Sequence, residues 1–183
     1  LEDIRLQGTP EQQAHFFALA LQGHRFANAL SETGGKNVQD IQASIRRSGK
    51  GYVINGRKGY CTGSLYAHWL AVLALDEQGR GQLAFVPRGS EGLVVIDDWD
   101  SIGQRTTSSG TVLAQNLLVP AFNLFPTYRS YECPTLAGPF AQLTTAAIDA
   151  GIARAALRDT IAFVRQHARP WIDAGVEKAS EDP

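Results

Sequence analysis

The sequence predicts an α+β chain: a short capped helix, a middle region of short antiparallel strands forming a barrel or sandwich, and one long helix. Three observations carry this. Thr9, Pro10 and Gln12 have the order of a capping box with proline at the first helical position. From about residue 40, apolar residues come in short runs separated by glycine-rich turns. After Pro134 the periodicity becomes helical for roughly 30 residues and stops at Pro170.

Taken in order, Phe16, Leu19 and Ala20 share one face of the first helix, and Gly23 can terminate it. The runs "IQASIRR", "YVI", "RKGYC", "HWLAVLALD", "QLAFVP", "LVVIDDW" and "TVLAQNLLV" then read as strands between "SGKG", "NG", "EQGRG", "RGSEG" and "TTSSG". Asn55-Gly56 is the sharpest hairpin signal, since a type I′ turn needs positive φ at both central residues. In the long helix Phe140, Leu143, Ala147, Ile148, Gly151 and Ile152 mark one face, and Leu157, Ile161 and Val164 another. A helix apolar on several sides needs several neighbours, and its reach of about 45 Å exceeds a small barrel. Those neighbours are expected from helices outside this chain or from another subunit.

With 183 residues and 44% hydrophobic content, the chain can bury a real core. Its 17 basic and 18 acidic residues leave a net charge of -1 without like-charge blocks, so neither nucleic acid nor an anionic membrane is an expected partner. No apolar run is long enough to span a bilayer, and "LEDIRLQGTPEQQ" does not resemble a secretion signal, so the expected location is the cytoplasm. Cys61 and Cys133 are far apart, which suits two structural thiols better than a metal site or a disulfide. Position 1 is Leu and methionine is absent, so the chain is expected to be part of a longer polypeptide.

The junction "HRFANALSETGGKNVQDI", residues 24 to 41, fits neither helix nor hairpin. Together with "INGRKGYCTG", "GQRTTSSGTVLAQNLLVP" and a long helix ending in "RQHARPW", it resembles the acyl-CoA dehydrogenase superfamily across nearly the whole chain. More narrowly, "NALSE", "YCTGS", "GQRTTSSGT" and "ARPWIDAGVEKASEDP" are similar to sulfur-acquisition oxidoreductases of the SfnB type, beside the dibenzothiophene monooxygenase group. The resemblance implies the end of an N-terminal helical domain at 1–24, a flavin-binding β middle domain at 25–130, and the start of a C-terminal helical domain at 131–183.

It also implies a flavin, FMN or FAD, as cofactor. A flavin is a flat apolar ring with a polar edge, which asks for an aromatic wall, main-chain donors and a hydroxyl or amide. By the resemblance, Asn28, Leu30 and Ser31 run past the flavin edge, while Tyr60, Cys61 and Thr62 cover the ring, Tyr60 as wall and Thr62 within reach of N5. The consecutive glycines Gly34 and Gly35 would let the backbone turn away after that contact. Arg169 resembles an arginine that reaches a cofactor phosphate across a dimer interface, a task that suits a guanidinium fork. Each residue has a plainer reading beside this one. Thr62 and Asn28 can be turn residues bonding their own backbone, and Arg169 can be a cation opposing a helix dipole.

The superfamily's usual Glu-Pro-x-Ala-Gly-Ser-Asp loop is replaced here by Glu32-Thr33-Gly34-Gly35-Lys36-Asn37, which argues against CoA-thioester use. The preferred reading is therefore a reduced-flavin monooxygenase acting on a small organosulfur compound, with Asn28 and Thr62 as the catalytic residues that support oxygen chemistry on the reduced ring. A flavin reductase and a homo-oligomer, dimer or tetramer, are the implied partners of the full-length protein. An FAD-dependent acyl-CoA dehydrogenase and a non-catalytic β ligand-binding module are the alternatives. Elsewhere the signals are weak: His15, His24, His68 and His167 lack metal spacing, Asp97, Asp98 and Asp100 around Trp99 read as a solvated strand end, and "GQRTTSSG" with Arg105 as a polar turn open to substrate or cofactor.

Overall fold

Two helices open the chain, α1 (Glu2–Gln7) and α2 (Pro10–Leu21), in a computed structural model that describes residues 1–182. The expected capping box is present: Gln12 N–H donates to Thr9 Oγ1 at 3.3 Å, and Thr9 N–H donates to Gln12 Oε1 at 2.8 Å. At the other end Gly23 has φ +87°, Gly23 N–H reaches Ala20 O and His24 N–H reaches Leu19 O, a Schellman termination. Helix α1 was not expected, because six residues are too few to show a period. Its Ile4 is nevertheless fully buried beside Phe16 of α2.

The chain divides into two units, Leu1–Thr135 and Leu136–Pro183. In the first, eight strands are found among the described residues: β1 (Phe26–Ala29), β2 (Ser44–Ser48), β3 (Gly51–Lys58), β4 (Trp69–Leu75), β5 (Gly81–Pro87), β6 (Leu93–Ile96), β7 (Thr111–Pro120) and β8 (Leu124–Phe125). They follow the order β6-β7-β3-β2-β4-β5-β8, with β1 added against β4. Most pairings are antiparallel as expected. Two are parallel, β1 with β4 and β2 with β4, which makes the sheet mixed.

Both faces of this sheet are used. In β4 the residues Leu70, Val72 and Ala74 enter one core, while Trp69, Ala71 and Leu73 pack on a second. The first core also takes Ala29, Ile45, Ile54, Ala84, Val86, Leu93, Val112 and Leu117, so strands β1 to β7 share it and the sheet must curl around its inner face. The second lies under the helices, where Phe16 touches the rings of Phe26, Trp69, Phe85, Phe122 and Phe125.

Asn55-Gly56 is not a hairpin turn. Both residues lie inside β3, and the turn to β2 falls at Gly49, whose φ is +56°. Between Ile54↔Leu117 and Gly56↔Ala114, one residue of β3 faces two of β7, a β-bulge at Gln115 and Asn116. Asn55 Oδ1 accepts the Asn116 N–H at 2.8 Å and thereby caps the bulge, where Asn116 has φ +50°. Gly56 is required for closeness: a Cβ there would sit 2.4 Å from Ala43 Cβ.

The second unit contains α3 (Ala137–Gln166), whose 30 residues match the expected long helix. Pro139 falls in its first turn, where a missing N–H costs nothing, and Pro170 lies beyond its end. None of its described residues is buried; Phe140 is 70% and Leu143 71% exposed. Among the described residues no helix is long and apolar enough to cross a membrane, and both cysteines are free.

Candidate functional site

Two segments that the sequence singled out lie side by side at the ends of β1 and β3. Gly59 N–H donates to Ser31 O at 2.9 Å, and Lys58 Nζ donates to Leu30 O at 3.2 Å. Lys58 Nζ also donates to Glu32 Oε1 at 2.6 Å, forming an ion pair whose side chains are 2% and 7% exposed. Glu32 further accepts the N–H groups of Gln42 and Ala43, at 2.7 and 2.9 Å. Burial works to raise the Glu32 carboxyl, but the hydrogen bonds from Lys58, Gln42 and Ala43 outweigh it and hold it below the usual carboxylate range. Burial pushes the Lys58 ammonium down, with Glu32 opposing. A dry clamp therefore fixes "NALSE" against "KGYCT".

Just beyond Lys58 in the chain, Tyr60 and Thr62 help to line an open cleft of about 420 Å³ together with Trp99, Gln104, Thr107 and Ser109. Tyr60 turns out of β3 with φ +54° and presents an exposed ring edge-on to Trp99, at 6.1 Å between centroids. Cys61 N–H to Gly110 O and Gly63 N–H to Thr107 O tie this turn to the stretch leading into β7. Hydroxyls then line up. Thr62 Oγ1 meets Ser109 Oγ at 2.8 Å, Ser109 Oγ meets Thr107 Oγ1 at 2.8 Å, and Thr107 donates to Gln104 O at 2.9 Å. Trp99 Nε1–H donates to the same carbonyl at 3.0 Å.

Backbone strain concentrates here as well. Of the four non-glycine residues with positive φ among the described residues, Tyr60 and Gln104 line this cleft, Ser108 sits in the chain between its lining residues Thr107 and Ser109, and Asn116 lies elsewhere. Each such residue costs about 1–3 kcal/mol unless its surroundings over-determine it, and such residues cluster at ligand sites. A larger hollow of about 700 Å³, against Pro87, Leu118, Val119 and Pro120, has no comparable convergence of hydroxyls.

Thr62 and Tyr60 are thus in the cleft. Asn28 is exposed on β1, Ser31 is exposed, and Leu30 is 38% exposed; among the described residues no hydrogen bond joins Asn28 to Thr62. The Cys61 side chain points the other way, into the core, where burial raises its thiol to about 11 and leaves it uncharged. Arg169 is exposed in the second unit, past the end of α3. Gly34 has φ +106°, consistent with the tight turn expected of the paired glycines.

Trp99, Thr107, Ser109 and the Glu32–Lys58 pair were not recognised from sequence as site residues. Of these, only Thr107 and Ser109 had a signal, the density of hydroxyls in "GQRTTSSG". The acidic cluster is spent on structure: Asp98 Oδ1 accepts the Thr111 N–H at 2.7 Å, and Asp100 pairs loosely with Arg105 on the surface. His24 and His68 come within 4.8 Å, but each Nδ1 accepts a hydrogen bond, from Trp69 Nε1–H and Arg25 N–H. No group of three metal-type ligands exists among the described residues.

Residues 27–117 match the acyl-CoA dehydrogenase middle domain, and the chain belongs to the acyl-CoA dehydrogenase superfamily. Within it, dibenzothiophene monooxygenase of Rhodococcus erythropolis is 31% identical over 98% of this chain and 46% of that protein. The probable FMNH2-dependent monooxygenase SfnC of Pseudomonas putida is 29% identical over 100% of this chain and 46% of that protein. Among solved structures, TdsC from Paenibacillus sp. A11-2 in complex with FMN and indole superposes with a TM-score of 0.87 at 34% identity, covering 100% of this chain and 48% of that one. The chain spans about half the length of these relatives.

Proposed function

We propose that the full-length protein is a monooxygenase that uses reduced FMN to oxygenate a small organosulfur compound, and that residues 25–130 bind the flavin. The observation that carries this reading is the cleft itself, where the Tyr60–Trp99 aromatic edge stands opposite the Thr62–Ser109–Thr107 hydroxyls on a backbone held in strained conformations. Those groups fit a flat ring with one polar edge. The names of the relatives support FMN over FAD and oxygenation of sulfur compounds over thioester chemistry. The Glu32 to Asn37 loop, without the proline and Ser-Asp pair of the dehydrogenases, points the same way.

When bound, the flavin supplies activation of dioxygen and transfer of one oxygen atom to substrate. The chain supplies the surroundings. Tyr60 and Trp99 would shield the apolar ring from water, and the Thr62 hydroxyl would meet ring nitrogen N5. The carbonyls of Leu30 and Ser31 are already taken by Lys58 and Gly59, so this segment offers a ligand its Asn28 amide and Ser31 hydroxyl. The Glu32–Lys58 clamp holds these two segments in register. Arg169 binds the cofactor phosphate in an oligomer, and a separate flavin reductase provides the reduced flavin.

The test is spectroscopic binding of FMN and FAD to the full-length protein, followed by oxygen uptake with reduced FMN, with an aromatic or small aliphatic sulfur compound, and with an acyl-CoA. Sulfur-dependent product formation with FMN is expected. Bleaching of bound FAD by acyl-CoA would replace this reading with a dehydrogenase.

A further inference from the structure

The hydroxyls of the cleft form a line with one fixed end. Thr107 Oγ1 donates to Gln104 O, and a carbonyl can only accept. A threonine hydroxyl owns a single proton, so Thr107 is the acceptor in its contact with Ser109, and Ser109 is the donor. That spends the proton of Ser109. At the next contact Thr62 must therefore donate and Ser109 accept. Thr62 is left with no proton for the cleft and presents only lone pairs to it. Ser109 is 7% exposed, so water does not readily take the place of its partners. Reversing the line would turn the Thr107 hydroxyl proton away from Gln104 O, which would keep the Trp99 Nε1–H and the Thr107 backbone N–H, and the line would forfeit one hydrogen bond.

We infer that Ser109 and Thr107 are positioning residues that hold Thr62 as a hydrogen-bond acceptor, so that the cleft favours the ligand form bearing a ring N–H over the form bearing a bare ring nitrogen. This rests on the flavin reading above, in which Thr62 meets ring nitrogen N5. Reduction of a flavin adds hydrogen at N5 and converts that atom from acceptor to donor. A hydroxyl locked as acceptor thus welcomes the reduced ring and meets the oxidised ring lone pair to lone pair. For an enzyme that takes its flavin already reduced, this sign promotes both capture of the reduced cofactor and departure of the oxidised one.

The experiment compares dissociation constants of FMN and of anaerobically reduced FMN on the full-length protein, and on Ser109→Ala, Thr107→Val and Thr107→Ser. Wild type is expected to bind reduced FMN more tightly. Ser109→Ala and Thr107→Val free the Thr62 proton, and the preference is expected to fall about tenfold, the scale of one net hydrogen bond. For a two-electron couple this lowers the potential of the bound flavin by about 30 mV. Thr107→Ser keeps the terminal donor and is expected to retain the wild-type preference. An unchanged preference in both Ser109→Ala and Thr107→Val, or an equal fall in Thr107→Ser, overturns the relay while leaving flavin binding intact. Failure of wild type to bind either form removes the flavin reading, and the relay with it.

Discussion

Phe16 and Phe140 both project from helices, and they meet opposite fates. Phe16 is fully buried, ringed by Phe26, Trp69, Phe85, Phe122 and Phe125 of the first unit, whereas Phe140 in the second unit is 70% exposed. The first unit places apolar residues on both faces of a sheet and covers one face with α1 and α2. The second displays them along α3 without burying one among its described residues. The difference teaches that an apolar period tells how many sides of an element want cover, and nothing about where the cover comes from.

Substitutions can break this contrast. Phe16→Ala should lose about 3–5 kcal/mol of stability in a denaturant titration, the range for a fully buried aromatic. Lys58→Met comes next, because it leaves the Glu32 carboxylate buried and unpaired, at a cost of about 3–5 kcal/mol near neutral pH. Acid changes that figure with a definite sign. Glu32 has a folded pKa held below 4.5, so in wild type its contribution is complete above pH 4.5 and is lost as pH falls through the lower folded value. In Lys58→Met the carboxyl loses the partner that held it low and protonates earlier, so the gap between the two proteins should narrow in acid. Thermal melts across pH 3 to 7 read this directly, and a gap independent of pH would mean that the cost lies in packing. Phe140→Ala should shift stability of this chain by less than about 0.5 kcal/mol. A loss as large as that of Phe16→Ala would show that α3 is covered in solution.

What was legible in the sequence follows from how local each signal is. The Thr9–Gln12 capping box, the Gly23 termination and the 30 residues of α3 are written within a few positions of themselves. The strands β4 and β5 show in runs of apolar residues bounded by turns. Asn55-Gly56 misled because its partner, Asn116, is 61 residues away, and a side chain that caps a bulge looks in sequence like one that makes a turn. The site was legible in the same uneven way. Resemblance pointed to Tyr60 and Thr62, but Ser109 stands 47 residues from Thr62, and Lys58 stands 26 from Glu32. Nothing near any of these residues announces its partner. Trp99 was read with its acidic neighbours, and its contact with Tyr60 needs the turn between β6 and β7 to fold back.

The bulge in β7 acts as a change of phase. Above it the inward residues are the odd-numbered Leu117 and Val119, and below it they are the even-numbered Val112 and Ala114. A strand without the extra residue would keep one parity throughout, and one of these pairs would then turn to solvent. The stretch carrying Thr107 and Ser109 enters the lower half of that strand. One inserted residue, a short way along the chain from Thr107 and Ser109, thus sets the rotational setting from which their hydroxyls approach Thr62.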